Sequence, residues 1–324
     1  MNLAIVGASG IVGKTFLEIL ESSKLKIENL YLFASKRSEG KQVIFKNKAY
    51  YIEELTENSF DRGIDIALFS AGGDISKKFA PIAKSKGCTV VDNSSAWRMD
   101  EDVPLVVPEV NKEDISLNKG IIANPNCSTI QAAVVLKPLH DKYDIKRIVY
   151  STYQAVSGAG NQGISDLEDG IKGEAPKKFP YPIAGNCIPQ IDVFEENGYT
   201  KEEMKMINET RKILHEPNMP ITATAVRVPV LNAHSESINI EFQNSFELTD
   251  IINTLQSADG VIVEQNSYPM AITVSGKDEV FVGRIRRDES VQNGINIWVV
   301  ADNLRKGAAL NAVQIAEHLY NAKI

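Results

Sequence analysis

Cys127 stands where a strand is expected to give way to a helix, in the stretch IIANPNCSTIQAAVVLKPL. The apolar run ends at Ala123, a polar turn follows, and residues 128–139 have helical spacing. A cysteine at a helix N-terminus meets free N–H groups and the positive end of the helix dipole, which favour a thiolate. A cysteine in a reduced protein is otherwise most often a small buried residue. The polar neighbours on both sides of Cys127 favour the nucleophile.

A thiolate nucleophile usually works with a group that transfers protons. Of the four histidines, His140, His215 and His318 lie in or near predicted helices, whereas His234 follows a strand-like run in TAVRVPVLNAHS. If the strand that leads to His234 lies across the helix start at Cys127, we expect sulfur and imidazole within hydrogen-bond reach, or nearly so without ligand. An imidazolium at His234 and the helix dipole would then both favour the thiolate. Arg227 belongs to the same run and could bind a substrate carboxylate or form a structural ion pair.

Glycines spaced three apart (Gly7, Gly10 and Gly13) join an apolar strand at residues 3–6 to an amphipathic helix. Such glycines let a ligand approach the backbone, and the N–H groups at the helix start can bind a pyrophosphate. Ser9 replaces the second glycine of the usual G-x-G-x-x-G, so a ligand-free tight turn is the alternative. We predict a dinucleotide site. Its predicted contacts in this turn are Gly7, Ser9, Gly10, Ile11 and Val12.

The stretch after the second predicted strand, FASKRS, bears on the choice of cofactor. An NAD site commonly places an acid there for the ribose hydroxyls, and this stretch has none. Arg37 could instead bind a 2′-phosphate and Ser38 could donate to it. The alternative is that Lys36 and Arg37 belong to a solvated loop, but the two features together favour NADP.

Composition sets the class of protein. The chain has 324 residues, 43% hydrophobic and 24% charged, which suits about two globular domains. A formal charge of −7 favours neither nucleic acid nor a membrane surface as partner, and no apolar run is long enough to span a bilayer. Three scattered cysteines predict neither disulfides nor a metal site. Since a strand begins at once, we expect no signal peptide and a cytoplasmic protein.

The order of elements predicts an α/β chain with two domains. Strand and helix signals alternate in the first third, which indicates a Rossmann-type parallel sheet in residues 1–126. Longer alternating strands follow, in RIVYSTYQAVSG, ITATAVRVPVLNAHSESINIEF and NGINIWVVADN. They predict an α+β domain with a large mixed or antiparallel sheet in residues 127–303.

Several of these motifs together resemble the aspartate-β-semialdehyde dehydrogenase family, nearly end to end. The motifs are GASGIVG, SSAWRM, VPLVVPEVN, NPNCSTIQ, YQAVSGAG, EEMK, RVPVLNAHSE and DNLRKGAA. The resemblance implies conversion of L-aspartyl-4-phosphate to L-aspartate-4-semialdehyde with NADPH and release of phosphate, on the route to lysine, threonine and methionine. It also implies a homodimer or homotetramer, with the C-terminal helix, residues 304–324, packed on the first domain.

The resemblance assigns a role to each candidate residue. Cys127 would form a thioester, His234 would act as general acid/base, and Gln154 would orient the substrate. The implied substrate contacts are Arg227 for the carboxylate, Glu202 for the ammonium, and Lys205, Arg98 and Asn126 for the phosphate. The implied contacts at the nicotinamide end of NADP are Ser157, Gly158 and Asn303. Without the resemblance, Glu202 and Lys205, three apart on one helix, would be an exposed intrahelical pair.

Other families fit the sequence less well. N-acetyl-glutamyl-phosphate reductases share the logic but typically carry NPGCY around the nucleophile, and glyceraldehyde-phosphate-type dehydrogenases carry SCTTN. A catalytically inactive cofactor-binding paralogue should have lost its nucleophile or its base. This chain keeps Cys127, Gln154, Arg227 and His234.

Overall fold

A computed structural model of the chain describes residues 1–322. The helices are, in chain order, α1 (Ile11–Ser22), α2 (Gly73–Ser85), α3 (Pro108–Asn111), α4 (Cys127–Tyr143), α5 (Gly160–Ile171), α6 (Lys201–Ile213), α7 (Leu248–Gln256), α8 (Ala271–Val274) and α9 (Leu310–Asn321). The strands are β1 (Asn2–Val6), β2 (Asn29–Ala34), β3 (Gln42–Phe45), β4 (Lys48–Tyr51), β5 (Glu53–Glu54), β6 (Ile66–Phe69), β7 (Thr89–Asp92), β8 (Ile121–Ala123), β9 (Ile145–Gln154), β10 (Ile221–Arg227), β11 (His234–Phe242), β12 (Val261–Glu264), β13 (Val280–Asp288) and β14 (Gly294–Ala301).

The chain folds into two compact units. The first comprises residues 1–126 and the segment from Ala308 onward, and the second comprises residues 127–307. α9 therefore belongs to the first unit, and the chain returns to that unit within a π-helical turn at Arg305–Ala309. Within the part of the chain that is described, no helix has the length and hydropathy to cross a membrane.

The first unit is built on a sheet in the order β5-β2-β1-β6-β7-β8, in which every neighbouring pair is parallel. Strands β1 and β6 are buried along nearly their whole length, as expected when helices cover both faces of a parallel sheet. The apolar side chains of α1 and α9 share one core with β1 and β2. This confirms the predicted Rossmann-type sheet. The β3–β4 hairpin was not predicted.

The second unit holds a mixed sheet in the order β10-β9-β11-β14-β13-β12. The central pairs are antiparallel, while the outer pairs β10–β9 and β12–β13 are parallel. Helix α4 is buried almost all round, with Ser128 to Leu136 inaccessible, as expected for a helix inside the core. The predicted large mixed sheet is confirmed.

One predicted strand proved to be two. The run ITATAVRVPVLNAHSESINIEF breaks between Val228 and Ala233, because β9 lies between β10 and β11 in the sheet and the chain must cross its end. Ala233 has a left-handed backbone (φ +70°), an uncommon conformation for alanine, immediately before His234. Sequence alternation also failed to show α5, α7, β12 and β13.

Candidate active site

The candidate site lies at the ends of three neighbouring strands. In the sheet order β10-β9-β11, these strands place Arg227, Gln154 and His234 side by side at one edge. Arg227 is the register partner of Gln154, and the adjacent pair Ser235 and Tyr153 aligns β11 with β9. All three site residues are buried, with exposed fractions of 5%, 1% and 0%. The structure thus brings together residues up to 80 positions apart, Gln154 from one motif and Arg227 and His234 from another.

Cys127 is the first residue of α4, as predicted, and its side chain is partly accessible. One turn along the helix, Gln131 donates a hydrogen bond to the His234 carbonyl (3.4 Å), which ties α4 to the start of β11. A Cβ built on Gly307 would lie 3.0 Å from the Cys127 Cβ, so the glycine in the π-helical turn lets that turn pack against Cys127. Cys88 is buried and Cys187 is exposed.

Arg227 supplies positive charge next to the thiol. Burial lowers the pKa of Arg227, while the negative charges of Glu202 and Cys127 act in the opposite direction. Its Nη1 donates to the Ala155 carbonyl at 2.6 Å. A guanidinium remains protonated even when its pKa falls, so Arg227 and the helix dipole of α4 both stabilise a thiolate at Cys127.

His234 differs from the expectation of an imidazolium. The Ala155 amide donates a hydrogen bond to His234 Nδ1 (3.0 Å), so the proton of the neutral ring lies on Nε2. Burial, and secondly the charge of Arg227, lower the pKa of His234 well below its ordinary value. The expected imidazolium is therefore wrong for this state: a second proton would face the Ala155 N–H in an inaccessible site. Arg227 takes over the electrostatic role that we expected from an imidazolium.

The neutral His234 presents an N–H donor at Nε2, which has no hydrogen-bond partner within residues 1–322. A Cβ on Gly158 would lie 3.2 Å from this Nε2 and 3.0 Å from Arg227 Nη1. Glycine at position 158 thus lets the backbone pack closely against both groups. An N–H donor held in place in this way can stabilise a developing oxyanion.

Charged side chains of alternating sign lie near Arg227: Glu202 acts electrostatically on Arg227, and Lys205 pairs with Glu202. Glu202 is 5% exposed, and Lys205 binds both Glu202 (3.2 Å) and Asp192 (3.0 Å). Burial tends to lower the pKa of Lys205, but the two carboxylates outweigh it and raise that pKa. The pair is therefore part of a partly buried network of three charged side chains rather than an exposed intrahelical pair. Sequence reasoning missed Asp192, since no periodic spacing connects that loop residue with the helix.

The position of Glu202 and Lys205 follows from a capping box at the start of α6. Thr200 accepts from the Glu203 amide (3.3 Å), and Glu203 accepts from the Thr200 amide (2.7 Å). The second carboxylate oxygen of Glu203 accepts from the Ala225 amide of β10 (2.9 Å). Glu203 thus fixes the first turn of α6 beside the strand that ends at Arg227.

Ser157 and Asn303 are buried and bonded to each other, at 3.0 Å between Asn303 Nδ2 and Ser157 Oγ. Asn303 Oδ1 also accepts from the Ala233 amide (2.9 Å), and Ser157 donates to Asn232 (3.0 Å). These bonds stabilise the left-handed turn at Ala233 that leads into His234. Their predicted contact with the nicotinamide remains a prediction.

The glycine turn of the first unit has the geometry of a dinucleotide cradle. Gly7 has φ +93°, and a Cβ there would lie 2.3 Å from the Ser70 carbonyl oxygen. A Cβ on Gly13 would lie 2.3 Å from the Gly7 oxygen, so only glycine lets β1 and α1 approach so closely. α1 has no side-chain cap, which leaves its first N–H groups, at Ile11 and Val12, for an anion. A pyrophosphate fits this turn.

The residues after β2 fit a 2′-phosphate. Arg37 is exposed and forms no ion pair within the described range, whereas Ser38 is 7% exposed. Glu39 and Glu54 both bind Lys36 (3.0 and 3.2 Å). Lys36 thus pairs with both neighbouring acids, and Arg37 is left to bind a ligand.

Arg98 and Asn126 lie in the first unit and are both buried. Arg98 donates to the carbonyl oxygens of Asn93 and Asn124, each at 2.9 Å. These residues directly follow β7 and β8, so Arg98 lies at the carboxyl edge of the parallel sheet, where such folds bind ligands. No group of three or more His, Cys, Asp or Glu side chains among residues 1–322 could hold a metal ion.

Comparison with known proteins shows the class to which this chain belongs. Residues 2–118 match the family described as semialdehyde dehydrogenase, NAD binding domain, and residues 136–306 match its dimerisation domain. The two units therefore define a semialdehyde dehydrogenase.

Comparison with individual relatives shows which kind of semialdehyde dehydrogenase the chain resembles. The chain is 57% identical to the aspartate-semialdehyde dehydrogenase of Aquifex aeolicus, over 98% of this chain and 97% of that protein. It is 48% identical to the Bacillus subtilis enzyme, over 98% and 97%. The crystal structure of aspartate semialdehyde dehydrogenase II from Vibrio cholerae complexed with ASA superposes with a TM-score of 0.95, at 47% identity and 99% and 98% coverage. The chain belongs to the aspartate-semialdehyde dehydrogenase family.

Proposed function

We propose that the chain catalyses the NADPH-dependent reductive dephosphorylation of L-aspartyl-4-phosphate to L-aspartate-4-semialdehyde, in the biosynthesis of lysine, threonine and methionine. The observation that supports this best is the combination of Cys127 at the start of α4 with Arg227, Gln154 and His234 on adjoining strand ends. The Vibrio cholerae relative, of nearly the same fold, is described as complexed with ASA.

Two residues of the second unit, Cys127 and His234, carry out the proposed steps of the reaction. The Cys127 thiolate attacks the acyl phosphate, the C–S bond forms, and the bond to phosphate breaks to give a thioester. NADPH supplies the hydride that reduces the thioester carbonyl. The His234 Nε2–H stabilises the negative oxygen of each tetrahedral state, and collapse of the second state breaks the C–S bond and restores the thiolate. The departing phosphate takes up one proton from solvent, and the other steps need no proton transfer to His234.

The charges of the substrate match the line of side chains around Arg227. The α-carboxylate suits the planar donors of Arg227, and the α-ammonium suits Glu202. Lys205, with Arg98 and Asn126, would bind the phosphate, and Gln154 would orient the acyl group. The raised pKa of Lys205 keeps it protonated for that task at neutral pH.

Replacing Lys205 with alanine should raise the KM for phosphate in the reverse reaction about 10- to 100-fold, because a charge-assisted hydrogen bond is lost. The KM for aspartate semialdehyde should change less. Glu202→Ala should show the opposite pattern. Lys201→Ala, which changes an exposed lysine on the same helix, is the matched control. Initial rates at varied phosphate measure the effect, and unchanged KM values with a lower melting temperature alone would contradict the assignment.

NADP is the cofactor that the glycine turn and Arg37 fit. A related structure from Candida albicans, described as with NADP, superposes with a TM-score of 0.81 at 26% identity and covers 98% of each chain. When bound, NADP would contact Gly7, Ser9, Gly10, Ile11, Val12, Arg37 and Ser38, and its nicotinamide end would contact Ser157, Gly158 and Asn303.

Replacing Arg37 with alanine should weaken NADP binding about 10- to 100-fold and leave NAD binding within about twofold, since NAD lacks the 2′-phosphate. Arg62, an arginine of the same unit that already binds Glu53 (2.8 Å), offers the control variant Arg62→Ala. Fluorescence titration with NADPH and NADH gives the two Kd values. Equal losses for both cofactors would show that Arg37 does not contact the 2′-phosphate.

The buried Glu202 also separates this function from N-acetyl-glutamyl-phosphate reduction. A carboxylate that is 5% exposed beside the site suits an ammonium group, which an N-acetylated substrate lacks. The test is phosphate-dependent reduction of NADP by aspartate semialdehyde compared with N-acetylglutamate semialdehyde. We expect turnover of the first only. Turnover of the second alone, or of neither by protein that binds NADP, would overturn the proposal.

We further propose a homodimer formed through the open face of the mixed sheet. Tyr153 and Trp298 pack together on that face, with tilted rings 5.5 Å apart between centroids, and line a cavity of about 620 Å³ with Tyr268 and Met270. Exposed apolar surface of this kind marks an interface, and the segment belongs to a dimerisation-domain family. Sedimentation equilibrium should give twice the 35.7 kDa chain mass. A mass of one chain would exclude the dimer, and four would indicate a homotetramer.

We place the reaction in the cytoplasm. Cys127 must stay reduced to act as a nucleophile, and the three cysteines of the chain form no disulfide within residues 1–322.

A further inference from the structure

Arg227 is enclosed in a way that its proposed contact with the substrate does not explain. Its backbone pairs with β9 on one side and with Ile188 on the other, at 2.8 Å for its own N–H and 2.9 Å for its carbonyl. Its Nη1 donates to the Ala155 carbonyl, and its Cζ lies 5.9 Å from the centroid of the Phe179 ring. The guanidinium is thus held between a carbonyl and an aromatic face.

Phe179 itself is held by α5. Asp166, 3% exposed, accepts hydrogen bonds from three consecutive backbone amides, those of Lys177 (2.9 Å), Lys178 (2.8 Å) and Phe179 (2.8 Å). Burial tends to raise the pKa of Asp166, but these amides outweigh it and lower that pKa below its ordinary value. An ionised carboxylate that accepts three amides fixes the backbone at the ring.

Helix α5 also contacts the Phe179 ring itself. A Cβ on Gly163 would lie 3.2 Å from the Phe179 Cζ, so the glycine makes room for the tip of the ring. Gly163 and Asp166 are three residues apart and share one face of α5. One helix therefore fixes both the backbone and the ring of a residue that lies outside it.

We propose that Phe179, anchored by Asp166, is a positioning residue that orients the Arg227 guanidinium and thereby sets the preference for substrates with an α-carboxylate. The inference rests on the proposed function, in which Arg227 binds that carboxylate. A guanidinium binds a carboxylate with two parallel hydrogen bonds only in a defined plane, and a cation–π contact with an aromatic ring favours one orientation of that plane. Without the ring, Arg227 keeps its charge but loses the fixed plane.

The experiment compares two aldehydes in the phosphate- and NADP-dependent oxidation by the full-length enzyme. Aspartate semialdehyde carries the α-carboxylate, and 3-aminopropanal is the same amino aldehyde without it. The ratio of their kcat/KM values measures recognition of the carboxylate. Phe179→Ala should lower this ratio about tenfold or more through the KM for aspartate semialdehyde, with kcat/KM for 3-aminopropanal within about twofold of the unchanged enzyme.

Variants of α5 test the anchor. Asp166→Asn should lower the ratio in the same direction, because an amide can no longer accept from all three N–H groups. Asp169→Asn is the matched control, since Asp169 lies one turn along and its carboxylate binds side chains only, including Lys177 Nζ at 3.2 Å. Asp169→Asn should leave the ratio unchanged. If Phe179→Ala does not fold, Asp166→Asn against Asp169→Asn makes the same test.

Arg227→Leu separates this inference from the proposed function. If Arg227→Leu leaves the ratio unchanged, Arg227 does not bind the carboxylate and that part of the proposed function fails. If Arg227→Leu abolishes the preference while Phe179→Ala and Asp166→Asn affect both aldehydes equally, or neither, the positioning role of Phe179 is overturned.

Discussion

Replacing Cys127 with serine should abolish phosphate-dependent formation of NADPH from aspartate semialdehyde, a loss of about 10⁴-fold or more in kcat, as expected when a covalent nucleophile is removed. A serine hydroxyl at the start of α4 would not ionise near neutral pH, so neither the helix dipole nor Arg227 could produce a nucleophile there. The variant should keep its fold and its NADP affinity, because Cys127 lies in the second unit and the glycine turn in the first.

The control is Cys187→Ser, which removes an exposed thiol and should retain full activity. Iodoacetamide should inactivate the enzyme by alkylating Cys127, substrate should prevent it, and the buried Cys88 should react slowly. Protection of Cys187 instead of Cys127, or an active Cys127→Ser variant, would contradict the assigned nucleophile.

Replacing His234 with alanine should lower kcat about 10²- to 10³-fold, the cost of losing one donor to an oxyanion. His234→Gln should recover much of that loss, because a glutamine amide can present an N–H near the position of Nε2. If His234 acted as a base, glutamine could not perform that role and His234→Gln would not recover the lost activity. Comparison of the two variants therefore decides between a donor and a base.

The pH dependence gives an independent check on His234. Since its folded pKa lies well below the ordinary value of about 6.5, His234 stays neutral between pH 6 and 8 and the rate profile of His234→Gln should keep the wild-type shape. The unfolded chain takes up a proton at His234 as the pH falls below about 6.5, so the wild-type enzyme loses stability there and His234→Gln loses less. A wild-type ionisation near pH 6.5 that disappears in His234→Gln would contradict the donor role.

The sequence predicted those parts of the site that depend on local structure. Glycine spacing and apolar periodicity were enough to predict the glycine turn before α1 and Cys127 at the start of α4, because a strand, a turn and a helix follow one another in each case. Arg227 and His234 were predicted from their motifs, and the structure adds that β9, with Gln154, separates their strands.

The sequence could not show the contacts that backbone atoms and loop residues make. The state of His234 depends on the Ala155 amide, which has no side-chain signature, and the break between β10 and β11 depends on pairing with β9. Asp192 lies in a loop and binds Lys205, and Asp166 binds the backbone of another loop at Phe179. No periodic pattern in the sequence describes the course of either loop. The expected imidazolium failed for this reason: residue types indicated the partners, but only the burial and the backbone contact decided which atom holds the proton.

The central claim is that Cys127 carries the acyl group as a thioester. The most direct measurement is to mix the enzyme with aspartate semialdehyde and NADP in the absence of phosphate, quench in acid, and locate the adduct by mass spectrometry of the peptides. We expect a burst of NADPH equal to the number of active sites and one aspartyl adduct, on Cys127, that disappears when phosphate is added. A burst without an adduct on Cys127, or an adduct on Cys88 or Cys187 instead, would contradict the account.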